Sequence, residues 1–475
     1  MKGNIIMLFN SMIFLWIFLP ISIILYFIVN PKYQSLILLI LSLIFYAWGN
    51  PKYIVILIFS ILFNYIFGII IDKLDKRRKI GKLIFIVAIL ANLSILFYFK
   101  YYNFLVDNLN RIIGRNVIAH MTRSLPLGIS FYTFSAISYI ADVYKKETKA
   151  QKNIINLGLY IAFFPKLLMG PIERYIDFQK ILEEKNISIE NFANGFKRFI
   201  YGLSKKVLIA NVVATIADFA FKSSALTLSS RIAWLGAIAY TLQIYFDFSG
   251  YSDMAIGLAK MFGYKLNENF DYPYLSQSIS EFWRRWHITL SNWFKHYIYF
   301  PLGGNRKGKY RTYFNLFIVF LVTGIWHGSS WNFIIWGLFN GFFVIIERMK
   351  LGELLNKNKF KILNNIYAMF VIIIGWVLFR APGIKAALKY LKTMFSFNNL
   401  QMDIYNIITK KNITMFIVGI LTCGIIQLIY RKISDKSKIK KFIMFSEPLY
   451  VLILGIFCIL NLVSGTYNSF IYMQF

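Results

Sequence analysis

The chain has 475 residues, of which 58% are hydrophobic and 19% aromatic, whereas only 16% are charged. Soluble domains contain about 25% charged residues, so this composition excludes an ordinary soluble protein and is typical of a membrane protein. The 53 basic and 21 acidic residues give a net charge of +32. In a polytopic membrane protein, such an excess indicates cytoplasmic loops and contact with anionic lipid headgroups. A nucleic-acid binder needs a soluble basic face, so we expect no nucleic-acid partner.

Apolar runs recur along the whole chain and predict an all-α polytopic fold. They cover residues 13–29, 35–48, 53–71, 83–99, 125–140, 154–170, 207–221, 232–248, 313–326, 331–346, 363–379, 413–430 and 449–463. The first run is followed by further spans and lacks a small-residue cleavage site, so we interpret it as a retained helix. Cys423 and Cys458 lie inside apolar runs, which favours buried free thiols over a disulfide or zinc site. No domain-sized polar insertion occurs, so we expect one membrane domain over residues 1–475.

Basic loops predict the orientation of the spans. The segment 72–82 carries six Lys or Arg residues and is therefore expected on the cytoplasmic side, which places the N-terminus outside. The basic segments 145–152, 348–361 and 431–441 are also expected inside. The run 154–170 then has cytoplasmic flanks on both sides, and it contains Pro165, Lys166 and Gly170, which disfavour a spanning helix. We interpret it as a re-entrant hairpin, which leaves about twelve spans and both termini outside.

Residues 278–297 are predicted to form one amphipathic helix. Ser278 and Glu281 have the spacing of a capping box. Aromatic and aliphatic residues follow at intervals of three and four, together with Arg284, Arg285 and His287. Such a helix is expected at the membrane interface or dipping into it.

Histidine is the side chain best suited to proton transfer near neutral pH, and the chain has four. His327 lies between two apolar helices and is flanked by Gly324 and Gly328, which favours a functional interior site, although an interhelical hydrogen bond is the alternative. His287 is either functional or an interfacial histidine bonded to backbone. His120 and His296 are interpreted as structural or solvated.

Two further polar features each have two interpretations. Asp247 and Asp253 interrupt an apolar run, so either they orient a histidine or line a cavity, or they mark a helix break capped by Ser249 and Ser252. The turn 301–307 is expected either to contact donor phosphates or to be an ordinary turn with a basic flank. No G-x-S-x-G elbow, P-loop, H-E-x-x-H or paired-carboxylate motif is present, so hydrolase, ATPase and metalloprotease functions have no support, and no metal site is expected.

An ordered set of motifs resembles the membrane-bound O-acyltransferase (MBOAT) family, in particular its bacterial branch that acetylates alginate, peptidoglycan and related glycans. The motifs are LPLGISFYTF at 125–134, FFPK at 163–166, GPI at 170–172, FWRRWH at 282–287 and WHG at 326–328, with further matches at 245–257 and 301–306. They are densest over residues 125–347. One departure is visible: Lys295-His296 stands where relatives usually carry an Arg-Asp pair.

The resemblance implies a ring of helices around a funnel, with His327 at the position of the catalytic histidine and His287 at a second important polar position. The C-terminal residues 470–475 resemble an aromatic tail in which a tyrosine, here Tyr472, is proposed to carry the acyl group; an interfacial anchor is the alternative. Met473 stands where the family pattern favours an aromatic residue.

We therefore predict an acyltransferase of the cell membrane that moves an acetyl group from a cytoplasmic thioester, acetyl-CoA, to an external hydroxyl for polysaccharide acetylation. His327 is the expected general base, and His287 is expected to orient the donor or stabilise the oxyanion. Arg284, Arg285 and Arg306 are candidates for contacting donor phosphates. The expected recipient is either Tyr472 or a hydroxyl on a secreted or membrane-anchored partner acetyltransferase. D-alanyl transfer to teichoic acids and a glycan or lipid transporter are the alternatives; the sequence does not identify the polymer.

Overall fold

The structure is a computed structural model that describes residues 6–49, 51–74, 79–223, 228–396, 409–433, 437–464 and 470–471. Within these ranges the chain is helical and contains no named strand, only one isolated antiparallel bridge between Phe270 and Trp286. The prediction of an all-α fold is confirmed.

The structure describes the following helices in chain order. They are α1 Leu19–Ile28, α2 Gln34–Gly49, α3 Ile54–Lys73, α4 Lys79–Lys100, α5 Tyr102–Ile113, α6 Ile129–Tyr144, α7 Ile154–Ala162, α8 Phe164–Leu167, α9 Tyr175–Glu183, α10 Ile189–Ser204, α11 Asn211–Lys222, α12 Ser230–Met261, α13 Ile279–Arg285, α14 Ile288–Phe294, α15 Lys309–His327, α16 Trp331–Ile346, α17 Gly352–Lys357, α18 Lys361–Arg380, α19 Ile384–Met394, α20 Lys410–Ile420, α21 Ile426–Ile433 and α22 Ser437–Val463. Five π-helical segments are Phe14–Phe18, Lys205–Ala210, Lys295–Tyr299, Glu347–Leu351 and Leu421–Ile425, and two 3₁₀ turns are Pro31–Tyr33 and Pro273–Leu275.

Seven helical segments in the described part of the chain are long and apolar enough to cross a membrane. They are Pro31–Gly49, Ile54–Lys73, Lys79–Lys100, Ile189–Lys222, Lys361–Arg380, Lys410–Ile429 and Ile443–Val463. Their outward faces carry large exposed apolar side chains, for example Leu83, Leu90 and Phe97 on α4, as expected of surfaces in contact with lipid. The protein is therefore a polytopic membrane protein, whereas the count of about twelve spans stays a prediction.

The chain divides into two compact units. The first unit comprises Met1–Phe199 and Met254–Asn267, and the second comprises Ile200–Asp253 and Glu268–Phe475. Two of the three boundaries fall inside α10 and α12, and the third lies between Asn267 and Glu268, in the polar stretch after α12. A single membrane domain stays a prediction.

The predicted break in the run 154–170 is present in the first unit. The helix α7 ends at Ala162, and Phe163 leaves the helical region with ψ of 110° before the four-residue α8. The segment is buried from Leu157 to Gly170. Inside it, the Lys166 ammonium group donates to the Ser135 hydroxyl at 3.2 Å and lies over the ring of Tyr160. A buried lysine needs such partners, so the break is a packed interior feature; its path through the membrane stays a prediction.

The prediction of one continuous helix over residues 278–297 is wrong. The helix α13 ends at Arg285, Trp286 is extended, and His287 adopts the left-handed region with φ of 45° before α14 begins. The cause is a non-local pairing, because the backbone of 269–271 runs antiparallel to 285–288. The Asp271 N–H donates to the Arg285 carbonyl at 2.9 Å, and the Ile288 N–H donates to the Asn269 carbonyl at 3.0 Å.

The predicted cap at the start of α13 is present with one difference. The Ser278 hydroxyl accepts from the Glu281 N–H at 3.0 Å, as in a capping box. The Glu281 carboxylate, however, accepts from the N–H of Gln277 at 2.8 Å rather than from Ser278. The next two N–H groups, of Ile279 and Ser280, donate to the carboxylate of Glu347. Because all these donors are satisfied, the start of α13 is fixed firmly.

Candidate active site

His327 is the last residue of α15, at a tight junction with α16. A β-carbon added to Gly324 would lie 2.5 Å from the Phe333 carbonyl oxygen, and one added to Gly328 would lie 2.2 Å from the Phe333 ring. A side chain at 324 would require the backbone of α16 to move, and one at 328 would require the Phe333 ring to move. The glycines noted in the sequence therefore allow the two helices to approach closely, and this approach places His327.

The His327 imidazole is surrounded by aromatic rings in the second unit. Only 4% of the residue is exposed. The ring centroids of Trp326, Trp336 and Phe379 lie 4.8, 4.9 and 5.4 Å from the imidazole centroid, all at steep interplanar angles. Edge-to-face packing of this kind fixes a ring's orientation and excludes water. The surroundings suit a reaction that water would otherwise intercept.

His287 is positioned by hydrogen bonds and is completely buried. Its Nδ1 lies 3.1 Å from Oδ1 of Asn269, which also accepts from the Thr289 hydroxyl at 2.9 Å. The Asn269 amide group in turn donates to the Ser252 hydroxyl on α12 at 3.0 Å. Phe248, one turn before Ser252, packs edge-to-face on the imidazole at 4.7 Å. These contacts hold the ring at the break between α13 and α14.

The hydrogen-bond pattern also assigns the tautomer of His287. Asn269 Oδ1 is an acceptor, so Nδ1 of His287 carries the hydrogen and Nε2 presents its lone pair. Nε2 is buried without a hydrogen-bond partner among the described residues. His287 lies outside the seven candidate spans, and burial lowers its pKa from 6.5 to about 3, so the ring is neutral at physiological pH. A neutral Nε2 accepts a hydrogen bond or a proton; it does not donate to an oxyanion.

The two histidines lie beside the same indole ring. The Trp326 centroid is 4.8 Å from that of His327 and 6.2 Å from that of His287. Further aromatic rings connect the surroundings of the two histidines. The Trp376 ring centroid lies 4.9 Å from that of Trp286 and 5.9 Å from that of Trp336. The structure therefore brings together the FWRRWH and WHG motifs, which are far apart in sequence.

The three predicted phosphate-contacting arginines differ in their surroundings. Arg285 is held by two carboxylates, with Nε donating to Glu281 at 2.9 Å and Nη1 to Asp271 at 3.0 Å. Arg284 and Arg306 are exposed. Arg306 follows Gly303 and Gly304, whose positive φ angles confirm the predicted turn. Of the three, Arg285 would have to exchange an existing ion pair to bind a phosphate.

Asp247 and Asp253 do not break a helix, because α12 runs without interruption from Ser230 to Met261. Capping by Ser249 and Ser252 is therefore wrong. Lysines on the neighbouring π-helical segment compensate both charges: Asp247 pairs with Lys206 and Asp253 pairs with Lys205 at 2.6 Å. Ser252 is linked to His287 through Asn269, and Phe248 of the same stretch contacts the His287 ring directly.

The other two histidines, the two cysteines and the C-terminal residues were also candidates in the sequence. His120 is exposed and pairs with Asp107 at 2.9 Å, as expected for a solvated histidine. His296 packs against the ring of Phe300. Both cysteines are free, and Cys458 is buried. Tyr472 lies outside the described residues, so its role stays a prediction, whereas Phe470 and Ile471 before it are described and buried.

Sequence reasoning missed Asn269, Thr289 and Glu347. Asn269 lies in the polar stretch after α12, where nothing in its neighbours marks it as a partner of a histidine. Glu347 follows an apolar helix and reads as a cytoplasmic flank, yet it caps α13. Both contacts join residues distant in sequence, which periodicity does not reveal.

The described residues thus form a helical membrane protein with two buried histidines beside one indole ring. Residues 43–388 match the model of the MBOAT, membrane-bound O-acyltransferase family. Because this match covers most of the chain, the protein belongs to that family and is an acyltransferase.

Relatives of known type support the same class. The chain is similar to a probable alginate O-acetylase of Pseudomonas putida, with 39% identity over 99% of the chain and 100% of the relative. It is 38% identical to a peptidoglycan O-acetyltransferase of Helicobacter pylori, over 84% of the chain and 81% of the relative. A teichoic acid D-alanyltransferase of Bacillus subtilis is 30% identical over 56% of the chain and 68% of the relative.

Proposed function

We propose that this enzyme transfers an acetyl group from a cytoplasmic thioester, acetyl-CoA, to a hydroxyl on the outer side of the cell membrane, and that the acetyl group ends on a cell-surface polysaccharide. The observation that carries the proposal is the position of His327 and His287 beside one indole ring in a buried aromatic environment. The similarity to two kinds of glycan O-acetyltransferase supports the acetyl group and the polymer.

His327 acts as the general base. It takes the proton of the acceptor hydroxyl while that oxygen attacks the thioester carbonyl, and the carbon–sulfur bond then breaks. The proton returns to the thiolate that leaves, so the imidazole is regenerated. Positioned bases of this kind supply about 10²–10⁴-fold of rate.

His287 accepts a hydrogen bond through Nε2 from the acceptor hydroxyl or from an amide of the donor. This replaces the expected role in oxyanion stabilisation, because the tautomer set by Asn269 leaves no N–H at Nε2. Arg284 and Arg306 are exposed and contact the donor phosphates, with Arg285 joining them if it releases a carboxylate.

One of two acceptors receives the acetyl group on the outer side of the membrane. Either Tyr472 carries it transiently, or a hydroxyl on a secreted partner acetyltransferase receives it directly. The first route requires the C-terminus outside, as the basic loops predict. No transporter is proposed, because the chain belongs to an acyltransferase family.

The test is acetyl transfer in membranes supplied with [¹⁴C]acetyl-CoA, polymer and the secreted partner. We expect His327→Ala to lose at least 100-fold of the transfer. The matched control is His120→Ala, which removes an exposed histidine paired with Asp107 and should retain full activity. Full activity of His327→Ala at a normal membrane level would refute the catalytic role.

The relay has its own test. Tyr472→Phe removes only the hydroxyl, so it should abolish transfer while leaving the protein in the membrane. Retained transfer would reduce the tail to an anchor and leave the partner hydroxyl as the direct acceptor.

D-alanyl transfer is the second candidate, favoured by the similarity to the Bacillus subtilis enzyme. Supplying membranes with labelled acetate or labelled D-alanine, each with its activating system, separates the two. Incorporation of D-alanine alone would replace the acetyl donor while keeping His327 as the base.

A further inference from the structure

Phe470 and Ile471, near the C-terminus, are buried in the second unit. Phe470 is completely buried and Ile471 is 7% exposed. The last residues of most domains are poorly ordered unless specific contacts hold them. The contacts of these two residues therefore indicate a site built to receive them.

A single carboxylate makes the main contact. One oxygen of Asp247 pairs with the Lys206 ammonium, and the other accepts the Ile471 backbone N–H at 2.7 Å. The same ammonium lies over the Phe470 ring, 4.5 Å from its centroid. The ring in turn packs edge-to-face on Tyr251 at 5.1 Å. The chain end thus contacts both members of the ion pair.

Burial makes these contacts matter. The side chains of Lys206 and Asp247 are each 2% exposed, whereas those of the neighbouring pair, Lys205 and Asp253, are 30% and 17% exposed. A buried ion pair is stable only when further hydrogen bonds and polar contacts replace lost water. The N–H of Ile471 and the face of Phe470 provide such contacts, so the pair and the chain end stabilise each other.

The receiving stretch of α12 also holds His287. Asp247 and Tyr251 are one helical turn apart and contact the chain end, while Phe248 and Ser252, also one turn apart, lie on the adjacent stripe of the helix. Phe248 packs on the His287 ring, and Ser252 fixes Asn269. About one and a half turns of α12, residues 247–252, therefore contact both residues 470–471 and the surroundings of His287.

We propose that the Lys206–Asp247 pair is a docking site for residues 470–471, the C-terminal segment. The pair positions this segment on the stretch of α12 that supports His287. Asp247 is a positioning residue, since it acts through the segment it holds. The docking stands on the contacts above; its consequence for transfer rests on the proposed role of Tyr472, which follows Ile471 in the sequence.

The test measures docking without activity. Ile471→Cys keeps the backbone N–H, and Cys423→Ser removes the partly exposed native thiol. We expect maleimide to label Cys at position 471 slowly in this parent and at least tenfold faster after Asp247→Ala. The matched control is Asp253→Ala, which breaks the neighbouring pair and should leave labelling slow. Equal labelling rates in the parent and in Asp247→Ala would overturn the proposal.

A second variant guards against misfolding of Asp247→Ala. Phe470 is outside the helices, so Phe470→Ala changes no helical residue. The substitution removes the ring that lies below the Lys206 ammonium group. We expect labelling at 471 to become at least fivefold faster. If Asp247→Ala does not insert into membranes, unchanged labelling in Phe470→Ala decides against docking.

The same experiment separates docking from the relay. In a His327→Ala background, where transfer is expected to be lost, the dependence of labelling on Asp247 should persist. If it persists and Tyr472→Phe remains fully active, the docking stands and the relay fails. If transfer also falls in Asp247→Ala but not in Asp253→Ala, both are supported.

Discussion

His327 and His287 lie beside one indole ring, yet different forces place them. His327 ends a regular helix, and aromatic rings from three directions fix its orientation. His287 occupies a left-handed break and is fixed by Asn269 and, behind it, Ser252. A close helix junction and ring contacts place the first, whereas at the second a hydrogen bond to Asn269 adds to the ring contact of Phe248. Changes to helix spacing should therefore affect His327, and changes to polar side chains should affect His287.

The largest effect is expected at the spacing of α15 and α16. Gly324→Ala places a methyl group 2.5 Å from the Phe333 carbonyl oxygen, so the helices must separate and His327 must shift. Overpacking of this kind costs about 1–3 kcal/mol, and we expect at least a tenfold loss of acetyl transfer at equal protein level. The matched control is Gly375→Ala on α18, where the nearest atom to the added carbon is 3.5 Å away. Equal activities of the two variants would contradict placement by packing.

The sequence predicted the two histidines but not what holds them. His327 and His287 stood out because ionisable residues are rare in apolar segments, and the break near Pro165 followed from local chemistry. The helix 278–297 was wrong because a period of 3.6 does not register the backbone of 269–271, which pairs with 285–288. Similarly, Asp247 suggested a helix break only because its partner Lys206 lies on another element.

A smaller effect is expected from the hydrogen bonds of His287. Asn269→Ala removes the acceptor for Nδ1, so neither the ring orientation nor the tautomer remains fixed. A hydrogen bond of about 0.5–1.5 kcal/mol corresponds to a loss of up to about tenfold. Ser252→Ala removes only the outer contact and should lose less transfer. Wild-type activity of Asn269→Ala would show that packing by Phe248 alone positions the ring.

A third effect concerns the stability of the folded protein at acidic pH. His287 is neutral in the folded protein because burial lowers its pKa to about 3, whereas the unfolded chain takes up a proton near pH 6.5. Between these values the unfolded state binds more protons, so stability falls as pH decreases. From pH 6.5 to 5 the contribution is about 2 kcal/mol at 1.36 kcal/mol per pH unit. We expect His287→Gln to lose less thermal stability than wild type between pH 7.5 and pH 5 in detergent micelles.

His120 provides the comparison, since its side chain is 54% exposed and pairs with Asp107 at the surface. Between pH 7.5 and pH 5, His120→Gln should lose as much thermal stability as the wild type, whether or not the substitution changes the stability at pH 7.5. If His287→Gln and wild type lose the same stability on acidification, then the pKa of His287 is not lowered in the folded protein. The ring then takes up a proton near pH 6.5, and below that pH Nε2 carries a hydrogen that it can donate to an oxyanion. The pH response thus decides whether the second histidine accepts or donates, which its position beside Trp326 alone does not.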